Sequence, residues 1–330
     1  MFPAIPHRPY SAAMTATAIE PGTPLPAIVI CCAEVLGEEF DALLASVESA
    51  GQQPQPGSPY LIERKIWVAA SDSQAALWSE AHLMARGILL NLFDHLAMLR
   101  KAFSGPEQLP LYAHMTLARV VMEAAVQICE LVDPAAGFEQ RVLRAAQLGL
   151  RSRTLEMSAV WGLPAGHQVR EGALEKTVRR REEFASLVEK AGIEVRRGKD
   201  ERPKGVRYLG SDRFLDLDPS MTELVGQRFP ALPSGYQLTS GVVHSMEWML
   251  RDAYADDDAD AVRAEPDLLG MGMATLMALN ACAAVAESYA ELYGHDPESA
   301  AEASARRRRR VDEASAQEYA RMQGLGATRR

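Results

Sequence analysis

The chain has 330 residues, of which 48% are hydrophobic and 24% charged, with a formal net charge of −9. Such a length fits one elaborated domain or two, and the apolar share is ample for a sizeable core. No apolar run reaches the roughly 18 residues of a membrane span (Leu268–Val285 comes nearest, diluted by Gly, Asn and Ala), and no strand–helix alternation offers a dinucleotide fold.

Met1–Pro24 is rich in Pro, Ala and Thr and lacks the apolar stretch and basic head of a signal peptide, so residues 1–25 read as a disordered leader. Pro26 suits a first helical position, and Leu36, Phe40, Leu43, Leu44 and Val47 then share one face up to the Gly51–Pro59 breaker. Tyr60–Ala69 fits an extended or a short helical connector, so residues 26–70 form an N-terminal helix and its link. Ser71 or Asp72 caps the clearest helix, where Leu77, Ala81, Met84, Ile88, Leu92, Leu96 and Leu99 step by three and four until Ser104-Gly-Pro. Helices over Leu111–Val132, Phe138–Trp161 and Val169–Ala191 follow, separated by Asp-Pro, Gly-Leu-Pro and Gly breakers.

Ile193–Pro219 has no helical period and reads as a long irregular loop, with Val206–Leu209 and Phe214–Leu217 able to form a short hairpin; β structure is expected only there. Ser220-Met-Thr-Glu223 is a capping box. A helix over Gly235–Tyr254, a solvated acidic turn at Asp256–Asp260 and a helix over Asp267–Tyr293 complete a core of residues 71–294. Residues 295–330 form an Arg-rich tail, helical or disordered. Its Arg306–Arg310 run points all round a helix and is either solvated or in contact with nucleic acid or an acidic partner. The expected fold is all-α: an antiparallel helical bundle with an N-terminal helix, a long irregular loop and a C-terminal helical tail.

Charge is unevenly spread. Arg141–Arg213 carries 17 Lys/Arg against 10 Asp/Glu, and Phe214–Ala305 carries 3 against 16, which fits complementary faces of one molecule or a nucleic-acid track. Cys31, Cys32, Cys129 and Cys282 lack metal-ligand spacing and read as reduced core thiols of a cytoplasmic protein. Met246, Met249, Met271, Met273 and Met277 read as gap-filling core. The histidines and carboxylates form no zinc or di-iron motif, so neither a metal nor another cofactor is expected.

Two constellations carry chemistry. Tyr236, Ser240 and His244 recur at i, i+4 and i+8, which on a continuous helix puts a phenol, a hydroxyl and an imidazole in one stripe pointing into the bundle. His244 is then either a hydrogen-bonded core residue or a base. Arg119 and Glu123 form an i,i+4 pair, and a short Asp133–Gly137 connection would let Glu123 meet Arg141 and Arg144 of the next helix. That arrangement is either an inter-helix salt-bridge network or an anion pocket, since forked guanidinium donors suit phosphate.

The stretch Leu117-Ala-Arg-Val-Val-Met-Glu123-Ala-Ala, continuing to Leu131-Val-Asp-Pro134, resembles a helix of actinobacterial all-helical proteins that have no assigned activity. Arg141-Val-Leu-Arg144, Pro219-Ser-Met-Thr and Tyr236–His244 follow in the same order, and the abundance of Ala, Arg, Gly and Asp fits a GC-rich bacterial genome. These proteins are similar in turn to helical bundles of the HEPN superfamily, and the resemblance covers roughly Ser73–Tyr293. It implies a nucleotide- or RNA-associated module, in a stress or phage-defence setting, with Arg141, Arg144 and His244 meeting phosphate. Active HEPN ribonucleases place four to six residues between an arginine and the histidine; here Gln237, Leu238 and Thr239 occupy the positions where that arginine would stand, which implies a member without robust ribonuclease activity. The alternatives are a structural or partner-binding helical protein, a homodimer among the options, and more distantly a small-molecule enzyme of a biosynthetic cluster.

Overall fold

A computed structural model describes residues 24–105, 109–199, 201–232, 234–246, 254–257, 261–264 and 266–328. The expected leader, apart from residues 24–25, lies outside these residues, as does Met249. In chain order the elements are α1 (Ala27–Gln52), α2 (Pro59–Ala69), α3 (Asp72–Ser104), α4 (Ala113–Val132), α5 (Gly137–Trp161) and α6 (Arg170–Lys190). They continue with β1 (Ile193–Arg197), β2 (Pro203–Tyr208), β3 (Leu215–Asp216), α7 (Met221–Arg228), α8 (Gly235–Val243), β4 (Tyr254–Asp257), β5 (Ala261–Ala264), α9 (Leu268–Tyr293) and α10 (Glu298–Thr328). The architecture is an all-α bundle of ten helices among the described residues, with two small antiparallel sheets appended.

Helix starts follow local polar chemistry. Ser58 accepts from Leu61 N–H ahead of α2, with Pro59 in the first turn where its missing donor costs nothing. Ser71 accepts from Gln74 N–H ahead of α3, Ser220 from Glu223 N–H ahead of α7, and Asp267 from Gly270 N–H ahead of α9. The link over Tyr60–Ala69 is thus helical, and Ser71 rather than Asp72 is the cap.

α9 is the central helix. Met271, Met277, Leu279, Cys282, Val285 and Leu292 are fully buried along it, and α4, α1 and α10 pack around it. By length and composition α9 could cross a membrane, but 67% of its most apolar window is buried within the chain. Alanines and glycines on it let neighbouring helices approach closely, and Gly294, at φ +80°, closes it in the left-handed conformation. Most of α3 and α4 joins this core, Leu92, Leu96, Leu99, Val121 and Ile128 being fully buried.

A second apolar cluster joins the start of α3 to α5, α6 and the first sheet through Leu77, Trp78, Val142, Leu150, Phe184, Val188 and Val206. Gly149 on α5 is required here, because a Cβ would overlap the Phe184 ring. The sheet has order β1-β2-β3, with Val206 opposite both Val195 and Leu215. The stretch read as an irregular loop thus carries three strands among its described residues, because its few apolar residues cover the α5–α6 face. The hairpin allowed there is present as the Val206–Leu215 pairing, and β1 adds a strand before it.

Four expectations about these elements fail. β structure is not confined to residues 193–219, since β4 and β5 pair as a hairpin around the acidic stretch, whose Asp258–Asp260 part lies outside the described residues. The helix expected over Gly235–Tyr254 stops at Val243. Ser245 takes φ +52°, and Ser245 N–H and Met246 N–H bond back to Val242 and Gly241 carbonyls at 3.0 and 2.8 Å, a left-handed cap that satisfies the helix end. Met246 is consequently exposed, whereas Met271 and Met277 are core. Leu44, placed on the apolar face of α1 by its spacing, is 38% exposed.

Candidate functional site

Arg119, Glu123 and Tyr236 meet where α8 lies on α4. Arg119 Nε donates to Glu123 Oε1 at 2.7 Å, Arg119 Nη2 donates to the Tyr236 hydroxyl at 2.9 Å, and that hydroxyl donates to Glu123 Oε1 at 3.1 Å. The guanidinium also lies 4.8 Å from the Tyr236 ring centroid. Burial, reinforced by Glu123, pushes the Tyr236 hydroxyl above its ordinary value, so the phenol stays protonated as a donor. These contacts latch α8 to α4, and Arg119 Nη1 is left buried without a partner. Ser240 lies one turn along α8, half-buried, outside the network. His244 is exposed at the helix end, because the stripe that would have carried it inward breaks at Ser245.

Glu123 does not meet Arg141 or Arg144. α5 packs mainly on α6 and α3 rather than along α4, so Arg141 reaches α2 instead. There its Nε and Nη2 grip Glu63 at 2.7 and 2.8 Å, its Nη2 also donates to the Asp133 carbonyl at 2.9 Å, and its Nη1 donates to the Leu131 carbonyl. Trp78 Nε1 donates to the same carboxylate at 2.7 Å. Arg141 is fully buried and its donors are committed, so it cannot meet a phosphate. Sequence reasoning passed over Glu63, though a signal existed: Tyr60, Glu63 and Trp67 fall at i, i+3 and i+7, which puts a carboxylate on an apolar face. His82 packs 4.4 Å from Trp78, and burial, with help from Arg141 and Arg86, drives its imidazole down to about 3, so it is neutral.

The other face of α5 is open. Gln140, Arg144, Gln147 and Arg151, at i, i+4, i+7 and i+11, line a groove of about 550 Å³ between α4, α5, β3 and α7. Val126, Leu148 and Leu224 are among its apolar walls, and Arg213 and Phe214 stand at the sheet side. Arg144 Nη1 bonds the Glu130 carbonyl at 2.7 Å and Asp133 Oδ2 at 2.9 Å, which ties off the end of α4. Arg151 Nη2 bonds Asp218 at 2.9 Å, a carboxylate that is 88% exposed, while Arg151 Nε is buried without a partner. Phe214 is held by two guanidiniums, those of Arg207 and Arg196, at 4.3 and 5.1 Å from its ring centroid. This groove combines forked cations, amides, an aromatic ring and apolar walls, the mixture that small-ligand sites use.

The Arg306–Arg310 run is largely tied to the bundle. α1 presents Glu34, Glu38 and Glu39, and Arg310 bonds Glu38 at 2.6 Å and Glu34 at 3.1 Å while Arg307 bonds the buried Glu39. Arg308 reaches Asn280 of α9 at 3.2 Å. The run thus serves chiefly to clamp α10 onto α1. The four cysteines are free thiols, Cys32, Cys129 and Cys282 of them buried, and among the described residues no group of three His, Cys, Asp or Glu is arranged to hold a metal ion.

Fold and groove together define a helical-bundle protein with a polar cleft between its two apolar clusters. No protein-family model, no curated protein and no solved structure matches the chain.

Proposed function

We propose that the chain is a phosphate-reading helical module that binds a nucleotide or an exposed RNA strand in the α4–α5–α7 groove, without robust ribonuclease activity of its own. The observation that carries this reading is the Gln140–Arg144–Gln147–Arg151 stripe facing Phe214 and Arg213 across one cleft. Guanidiniums take phosphate oxygens in forked pairs, amides read base edges, and an aromatic face stacks a base. The Arg151–Asp218 contact is a surface pair of little worth, so a phosphate can displace Asp218 at small cost. The likeness of the Leu117–Pro134 and Tyr236–His244 stretches to actinobacterial helical proteins, similar in turn to HEPN bundles, supports the same reading, with the phosphate contacts moved from Arg141 and His244 to Arg144, Arg151 and Arg213. The absence of robust cleavage follows from Gln237, Leu238 and Thr239 standing where an arginine would support His244.

The test is fluorescence polarisation with labelled single-stranded RNA, competed by nucleoside phosphates, together with a gel assay of RNA integrity. Arg151→Glu with Arg213→Glu is expected to weaken binding about tenfold or more and to lower the salt slope by roughly two phosphate contacts, with the RNA intact throughout. Absent binding by the unaltered chain, or binding indifferent to both substitutions, overturns the assignment. Metal-independent cleavage that disappears in His244→Ala overturns the silent reading.

A further inference from the structure

α3 is packed on one side by α1, α4, α5 and α6, and on the other it exposes a patterned face. Leu83, Gly87, Leu90, Asp94, Ala97 and Lys101 recur with alternating four- and three-residue spacing, and all are exposed, Leu83 by 64% and Leu90 by 71%. Any exposed helix face repeats in this way, so what marks this one is its content: two exposed leucines on one stripe with the small Gly87 and Ala97. Leucines this exposed, two turns apart on one stripe, leave apolar area that a partner helix would cover.

The composition of the seam selects the partner. Set two copies of α3 antiparallel about Leu90, so that residues equidistant from it lie opposite one another. Leu90 then meets Leu90, Leu83 meets the small Ala97, and Arg86 stands opposite Asp94. The last pair is decisive. Arg86 and Asp94 are both exposed, and neither makes an ion pair or side-chain hydrogen bond within the chain among the described residues. A two-fold axis forms that pair twice, once on each side of Leu90, and a parallel pairing in register would instead set Arg86 on Arg86 and Asp94 on Asp94. We infer that this face is a homodimer interface, an antiparallel α3–α3′ seam centred on Leu90. α3 spans about 50 Å, enough for the seam to run through several turns on each side of the axis. No residue of α3 lines the groove proposed for phosphate, so the two assignments stand or fall separately.

The experiment is sedimentation velocity with multi-angle light scattering on the full chain across micromolar concentrations. The unaltered protein is expected to be a dimer, and Leu90→Asp a folded monomer by circular dichroism, since the side chain is exposed and lies outside the core. Arg86→Asp alone and Asp94→Arg alone each set like charges opposite one another and should weaken the dimer about tenfold or more. The double variant Arg86→Asp/Asp94→Arg restores the opposition with its sign reversed and should return the dissociation constant close to its original value. A monomeric unaltered chain, a dimer that survives Leu90→Asp, or reversals that do not rescue each other would each overturn the seam.

Discussion

Arg141 and Arg144 are one turn apart on α5 and have opposite lives. Arg141 is fully buried, bound in a fork to Glu63 and to the last carbonyls of α4. Arg144 looks into an open groove, and Arg151, two turns on, is held only by an exposed aspartate. The chemistry of the side chain is the same in all three. What differs is water: a desolvated guanidinium must be neutralised by a fixed carboxylate and becomes part of the scaffold, whereas a hydrated one exchanges partners and can serve a ligand.

The buried side of that contrast should break most expensively. Arg141→Met or Glu63→Gln alone leaves an uncompensated polar partner in the interior and should cost about 3–5 kcal/mol in urea unfolding. The joint variant Arg141→Met/Glu63→Leu should recover a large part of the loss but not all, because Trp78 Nε1 and the Leu131 carbonyl lose partners that Glu63 and Arg141 supply. A joint variant no more stable than either single one would mean that the pair itself, rather than the avoidance of an orphaned charge, holds α2 to α5.

A smaller effect should separate the same region by pH. His82 sits beside this pair and binds its proton far less readily folded, at about 3, than at its ordinary 6.5. Its neutral form is therefore the one folding favours. Stability from this group is fully present above about pH 6.5 and declines as the pH falls towards 3, by roughly 1 kcal/mol per pH unit. Thermal melts between pH 7 and 5 should show that slope reduced in His82→Phe. A slope unchanged by the substitution would place the acid sensitivity elsewhere, His114 being the next buried imidazole, driven by burial to about 4.

The smallest effect on stability belongs to the open side. Arg151→Ala should shift unfolding by less than about 0.5 kcal/mol, since its partner is solvated, while its effect on phosphate binding should be clear. A loss of several kcal/mol would move Arg151 into the same class as Arg141 and remove the contrast.

The sequence by itself determined the helical periods of α1 and α3 to α6, the Ser220 capping box and the Arg119–Glu123 pair, because these depend on residues within one or two turns of each other. Even the patterned outer face of α3 is written there, in a spacing that its core leucines obscure. Only the tertiary structure decided which arginine of α5 is buried, since that depends on α2 arriving with Glu63 from 78 positions earlier in the chain. It likewise decided that α8 ends before His244, that β1 pairs with β2 to cover α5 and α6, and that the arginines of α10 find the carboxylates of α1. Local spacing governs what a segment can form. Burial and partner choice depend on which distant segment removes the water, and no short window of sequence contains that information.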